Sequence, residues 1–233
     1  SNAVAIGKTL EEVTEKYKHI DFRALAIDRR QNTFIPKHDD TFQEGDLVYV
    51  ITKPHAIKEL MQLSGKTRFN IHNVMIVGGG RIGKMTAKRL ENDMNIKIIE
   101  IDKEKCLELT NTLSDTMILN ADARNVDLLE EEGIKDMDAF IAVTENTETN
   151  ILTCLQAKAF GVKKTIAMVE NIDYIDISQN IGIDTIINKK LIAASYMVRY
   201  TLGGNVSSLK CLSGIDADIV EFVVRDGAAV TNK

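Results

Sequence analysis

The stretch Asn73–Asp102, NVMIVGGGRIGKMTAKRLENDMNIKIIEID, constrains the fold more than any other part of the chain. An apolar run, Val74–Val77, leads into Gly78-Gly79-Gly80-Arg81-Ile82-Gly83. A helix-forming segment follows, and then a second apolar run, Ile96–Ile101, broken only by Lys97 and Glu100. The order strand, glycine turn, helix, strand matches G-x-G-x-x-G, with Gly78, Gly80 and Gly83 in its three places. Gly78 allows the tight turn, Gly80 lets the backbone approach a pyrophosphate, and Gly83 lets the helix pack close to the strand. The amides and positive dipole end of the helix starting near Arg81 then face the anion. Glu100 follows Gly80 by 20 residues, near the end of the second strand, where a carboxylate takes both ribose hydroxyls of an adenosine. A glycine pattern alone would mark only a Gly-rich turn. The flanking strand, the helix and the acid at that distance select a nucleotide or dinucleotide site.

The same alternation continues downstream. Strands are predicted at 74–77, 96–101, 116–119, 139–143, 165–169 and 185–187, with helices at 82–92, 103–113, 126–132, 148–160 and 172–180. Gly161 and Gly182 stand where glycines end helices. Repeated strand–helix units imply a parallel sheet covered on both faces, a doubly wound α/β fold of the Rossmann type. Ligands of such sheets lie beyond the carboxyl ends of the strands. The residues to weigh are therefore Glu100 and Asp102, then Asn120, Ala121 and Asp122, then Thr144, Glu145 and Asn146. Asp122 and Asn146 read equally as helix caps and as ligand contacts, while Asp102 reads as a cap.

Before this unit, residues 4–65 read as a small α+β subdomain. Thr9 caps a helix running to Tyr17, and Arg23–Ile27 and Leu47–Ile51 suit strands, with a short extended piece at Thr33–Ile35. Pro54 opens a closing helix with Ile57, Leu60, Met61 and Leu63 on its apolar side. The polar stretch 65–73 is the expected boundary, so the nucleotide-binding unit spans 71–203. Its last helix, Lys189–Leu202, carries a broad apolar surface that fits a subunit interface. The tail 206–233 offers one strand at Ile219–Val224 and a return strand after Asp226-Gly227, the start of a second small subdomain. Residues 1–3 read as the remnant of a cleaved tag, which implies a piece cut from a longer protein.

Composition narrows the function classes. Net charge is −5 with both signs interspersed, which argues against non-specific nucleic-acid binding. No apolar run reaches the ~18 residues of a membrane-spanning helix, so direct membrane insertion is not expected. Cys106, Cys154 and Cys211 are far apart and lack metal-ligand spacing, which suits buried thiols in a reducing compartment. All four histidines and the single Tyr-x-x-x-Lys, Tyr49 to Lys53, precede the glycine loop, so no acid–base pair of an NAD-dependent dehydrogenase follows it.

The segments VMIVGGGRIGKMTAKRL, IIEID, NADA, AFIAVTENTETN and GIDTIIN resemble the RCK (regulator of potassium conductance) nucleotide-binding domain. More narrowly, they resemble the peripheral subunit of Trk-type potassium uptake systems. Ala142–Asn150 is similar to the family's AVT-x-x-DE-x-N run, and residues 4–65 look like the family's small C-terminal subdomain. The resemblance implies a cytoplasmic, non-enzymatic subunit, peripheral to the inner membrane, that binds nucleotide and gates a membrane potassium-transporting subunit as a homodimer or higher oligomer. A dehydrogenase and another nucleotide-sensing regulator are the alternatives. It implies NAD(H), with ATP or ADP as the other candidates, phosphates on Gly78–Gly83, ribose on Glu100, and Asn120–Asp122 with Thr144 and Glu145 around the adenosine. Two departures stand out: Glu100 replaces a common Asp, and Met168 stands where relatives often carry an arginine. No arginine adjoins Glu100, and the nearest cations in sequence, Lys97 and Lys103, are each three residues away. A ribose 2′-phosphate is therefore expected to weaken binding at least ~10-fold. Valine at Gly80 or Gly83 is expected to abolish binding and spare the fold.

Overall fold

The computed structural model describes residues 3–30, 32–65, 70–201, 206–211 and 218–222. They divide into two compact units, Ser1–Phe69 with Ser195–Lys233, and Asn70–Ala194.

In the first unit α1 (Leu10–Lys16) starts with a reciprocal cap. Thr9 Oγ1 accepts from Glu12 N at 3.1 Å, and Glu12 Oε2 accepts from Thr9 N at 2.9 Å. Strands β1 (Phe22–Arg29), β2 (Asn32–Phe34) and β3 (Leu47–Thr52) form an antiparallel sheet in the order β2-β1-β3. A simple alternation along β1 fails, because the register slips between Ala24 and Ala26 and buries the neighbours Ala26 and Ile27 together. Val13, Ile27 and Phe42 make the core. Arg29 clamps the loop before β3, donating to both Asp46 carboxylate oxygens at 2.8 and 2.7 Å and to Thr41 O at 2.7 Å. The closing helix begins as a 3-10 turn, Pro54–Ala56, and continues as α2 (Ile57–Leu63). Leu63 is buried there but Ile57 is 46% exposed, so the expected apolar side is covered only at its far end.

The second unit is the doubly wound sheet. Its strands are β4 (Asn73–Val77), β5 (Asn95–Glu100), β6 (Thr116–Asn120), β7 (Ala139–Ala142), β8 (Lys164–Met168) and β9 (Thr185–Ile187). The order is β6-β5-β4-β7-β8-β9 and every pair is parallel. Each strand sits within one or two residues of its sequence expectation. The connecting helices are α3 (Arg81–Leu90), α4 (Lys103–Thr110), α5 (Val126–Glu131), α6 (Thr147–Ala159) and α7 (Tyr174–Asn180). Both faces of the central strand are buried, as a parallel sheet requires. Met75 and Val77 pack with Phe140, Leu129 and Ile134 on one side, and Val74 and Ile76 pack with Ile98, Leu109 and Met168 on the other. Burial of each such side chain contributes about 1.5–3 kcal/mol. The chain leaves β4 toward β5 and β6, then crosses back to β7, so strand order reverses between β4 and β7. That reversal opens a crevice at the carboxyl ends of the strands.

Helix α8 (Lys189–Thr201) follows, carrying exposed Tyr196, Met197 and Tyr200. In the tail, β11 (Asp218–Phe222) pairs with an upstream strand, β10 (Val206–Cys211), in antiparallel register. The expected return strand after Asp226-Gly227 lies outside the described residues, as do Val223 and Val224. The strand assigned by sequence therefore finds its partner before it in the chain.

Candidate functional site

The glycine loop joins β4 to α3, and steric contacts dictate three of its residues. Gly78 has φ +102°, and a Cβ there would lie 3.0 Å from Thr144 N and from the Val143 carbonyl. A Cβ on Gly83 would stand 1.9 Å from Gly78 O, inside the turn itself. One on Gly79 would meet Leu109 Cδ1 at 2.5 Å. Gly80 differs: nothing lies within 4 Å of its Cβ position, so the backbone there faces open space. Gly80 is also the N-cap of α3 and brings no capping side chain, whereas Asp102, Asn125 and Asn146 cap α4, α5 and α6. The first-turn amides of α3 are left for a partner from outside the helix.

A cleft of ≈ 280 Å³ lies over this loop. Gly78, Gly80, Glu100, Ala121, Asp122, Thr144 and Glu145 of the expected set line it. The rest stand behind it or beside it. Gly79 and Gly83 support the turn through their close contacts, and Ile82 packs into the core beneath. Arg81 is exposed and outside the lining. Asn120 is likewise outside: its amide donates to Glu100 O and Ile101 O, each at 3.0 Å, bracing the end of β5 against β6.

Glu100 is buried, and its carboxylate turns toward the backbone. Oε2 accepts from Gly79 N at 2.6 Å and Oε1 accepts from Asp102 N at 2.9 Å. The acid thus fixes the glycine loop, and one further lone pair on each oxygen is left for a ligand. Asp122 turns out to be both cleft-lining and a turn residue, since its Oδ1 accepts from Arg124 N at 3.0 Å. Its carboxylate is gripped by the Arg124 guanidinium, with Nη2 2.6 Å from Oδ2, and that hydrogen bond lowers the Asp122 pKa. Asn146 also does both, lining the cleft while its Oδ1 accepts from Thr149 N at 2.6 Å as the cap of α6.

Among the residues that reasoning from sequence missed, four matter most. Ile101, Lys105 and Arg124 all line the cleft. Arg124 had a signal, standing directly after the Asn120–Ala123 segment, but sequence adjacency to Glu100 was the wrong measure of nearness. Asn150 is the fourth, and it lies at the end of the Ala142–Asn150 run. From α6 its Oδ1 accepts from Thr144 N and Oγ1 at 2.9 and 2.7 Å, and its Nδ2 donates to Thr144 O and Met168 O at 3.0 and 2.8 Å. It ties the ends of β7 and β8 together under the cleft. Met168 points into the core at 2% exposure, so no side chain at that position reaches the cleft in this chain.

A second hollow, ≈ 600 Å³ and shallower, opens at the ends of β7 and β8 and shares Glu145 and Asn146 with the first. Glu148, Glu170, Asp173 and Lys190 line it, and Glu170 pairs with Lys189 at 2.6 Å.

Residues 74–189 match the TrkA-N domain family and residues 1–65 the TrkA-C domain family. The chain is 33% identical to the "Trk system potassium uptake protein TrkA homolog 2" of Methanosarcina mazei, over 89% of this chain and 47% of that protein. It thus spans about half the length of the curated relatives it matches. Among solved structures, the GsuK RCK domain superposes with TM-score 0.57 at 19% identity, covering 84% of this chain and 42% of that one. The GsuK channel bound to NAD superposes with TM-score 0.57 at 18% identity, covering 84% and 35%. These likenesses show the fold.

Proposed function

The chain belongs to the family built from TrkA-C and TrkA-N domains, and from that premise we propose that it is a nucleotide-sensing regulatory subunit of a potassium uptake system, taking NAD(H) or an adenine nucleotide in the cleft over Gly78–Gly83. The observation that carries the reading is the pairing of an uncapped helix start at Gly80 with an open approach to its backbone. Phosphates are favoured there by the amides and the helix dipole. The spare lone pairs of Glu100 accept ribose hydroxyls, and Ala121 and Asp122, with Thr144 and Glu145, flank the adenosine. The second hollow, over the other half of the sheet, leaves room for the second nucleoside of a dinucleotide. NAD(H) is therefore preferred over ATP and ADP.

We read the site as a sensor rather than a dehydrogenase. The cleft offers carboxylates, an arginine, a lysine and hydroxyls, and no imidazole among the described lining residues. No helix among the described residues is long and apolar enough to cross a membrane. That suits a cytoplasmic subunit that reaches the inner membrane through a potassium-transporting partner, with ligand occupancy gating transport. The exposed aromatic face of α8 supports a homodimer or higher oligomer. A thermal-shift panel of NADH, NAD⁺, ATP, ADP and AMP tests the proposal. A ligand bound only by the folded state raises stability by RT ln(1 + [L]/Kd). A panel without any shift at millimolar ligand would refute it.

A further inference from the structure

We propose that Arg124, backed by Lys105, reads phosphate on the ribose, so that the cleft takes adenosine ligands phosphorylated at the ribose 2′ or 3′ position as readily as unphosphorylated ones. The inference rests on the nucleotide-binding reading above and reverses the expectation drawn from the neighbours of Glu100 in sequence. In folds of this kind an acid after the second strand holds a ribose diol, and a nearby arginine accommodates a ribose phosphate. This cleft has both.

The acid is already engaged. Glu100 is 7% exposed, and its two oxygens accept from Gly79 N and Asp102 N. Its negative charge is compensated by those amides, which lessens its repulsion of a phosphate close by and its need for hydroxyl donors. The arginine is in the opposite condition. The Arg124 side chain is 66% exposed, and the guanidinium lies against the Asp122 carboxylate at the edge of the cleft. An exposed ion pair of this kind is weak. A phosphate offers a guanidinium the same two-pronged geometry with about twice the charge of a carboxylate, so it competes for Arg124 successfully. When the guanidinium turns to a ligand, Asp122 keeps the Arg124 backbone N–H as a donor at 3.0 Å. Lys105 supplies a second cation to the same cleft.

Calorimetric titration of the whole chain with AMP, adenosine 2′,5′-bisphosphate and adenosine 3′,5′-bisphosphate tests this. At least one bisphosphate is expected to bind as tightly as AMP or more tightly. Preference for the 2′ isomer points to NADP-type ligands, and preference for the 3′ isomer to coenzyme A-type ligands. Arg124→Gln is expected to lower the affinity for that bisphosphate relative to AMP at least 10-fold, and Arg124→Lys to lower it less. Because Arg124 is exposed, the melting temperature of both variants should stay near that of the parent, which separates a binding defect from unfolding. AMP binding 10-fold more tightly than both bisphosphates, or an unchanged ratio in Arg124→Gln, overturns the proposal. Failure of all three ligands to bind while NADH binds overturns this inference alone, whereas failure of NADH as well overturns the nucleotide reading and this inference with it.

Discussion

Asn150→Ala should be among the most damaging single substitutions in the nucleotide-binding unit, although Asn150 does not line the cleft. Its side chain is 1% exposed and makes hydrogen bonds of 2.7–3.0 Å to Thr144 N, Thr144 Oγ1, Thr144 O and Met168 O. Truncation leaves the Thr144 amide and two carbonyls without their partner. A buried polar group so stranded costs roughly 1–3 kcal/mol. Thr144 borders the cleft, so water re-satisfies part of its loss, while Met168 O lies deeper. The expected cost is about 3–5 kcal/mol, a large share of the roughly 5–15 kcal/mol that holds a domain together. At about 3–5 °C per kcal/mol for a unit of this size, the melting temperature should fall by about 10–20 °C. Urea unfolding followed by circular dichroism gives the free energy directly. A loss below about 1 kcal/mol would refute the claim that Asn150 fastens β7 to β8. Asn150→Asp adds a second check. It retains the acceptor for Thr144 but sets a carboxylate against two carbonyls, so part of its lost stability should return on mild acidification, as the carboxyl regains a proton to donate.

Other consequences follow from the same contacts. Against the sequence expectation that a side chain at Gly83 spares the fold, Gly83→Ala should fail to fold, because its Cβ would stand 1.9 Å from Gly78 O, whereas Gly80→Val should fold and lose nucleotide, its Cβ facing open space; soluble yield, circular dichroism and calorimetry distinguish the two, and a folded Gly83→Ala would contradict the packing described. Acid should destabilise the protein chiefly between pH ~4.5 and 2. Burial raises the Glu91 pKa, but bonds from Lys88, Asp115, Thr116 and Ser114 outweigh it and bring the value to about 2. The His72 and Asn73 amides and Lys163 likewise hold Asp138 at about 2. Both carboxyls therefore bind protons in the unfolded chain first, so stability is full above the unfolded pKa values and declines as pH falls toward 2; a flat melting temperature across that range would be the contrary result. Light scattering at tens of micromolar, a concentration suited to a stable interface, should show a dimer, and Tyr200→Glu, on the 80% exposed edge of α8, should shift it toward monomer; a monomeric parent would remove α8 as an interface.

The parallel sheet was legible in the sequence because its central strands, β4 and β7, are buried on both faces and read as unbroken apolar runs, Val74–Val77 being the clearest. The small antiparallel sheet was harder. A bulge at Ala24–Ala26 breaks the period of two on which alternation depends, so Ala26 and Ile27 are buried side by side. The β10–β11 pair was missed for a different reason, since Val206–Cys211, with two serines and a lysine among its six residues, carries little apolar pattern to mark a strand. In the site, glycine spacing located the loop and assigned Gly80 to the approach of a ligand and Gly83 to helix packing, but it gave no sign that Leu109 leaves Gly79 no room for a side chain. Gly80 and Gly83 are chemically identical, and their roles differ only through what lies across from them. Glu100 was placed correctly at the end of β5. What escaped notice was its second occupation, the grip on Gly79 and Asp102 that becomes visible only once the turn is built. Arg124 was overlooked because parallel strands bring the ends of β5 and β6 together across 20 or more residues of chain.

The most direct test of the account is calorimetric titration of NADH into the parent chain beside Gly80→Val. Saturable one-site binding by the parent, with a stability gain of about 2.7 kcal/mol at 100 times Kd, and no heat of binding with the folded variant, is the result expected. Binding of equal strength by both proteins would place the nucleotide elsewhere and contradict the assignment of the glycine loop.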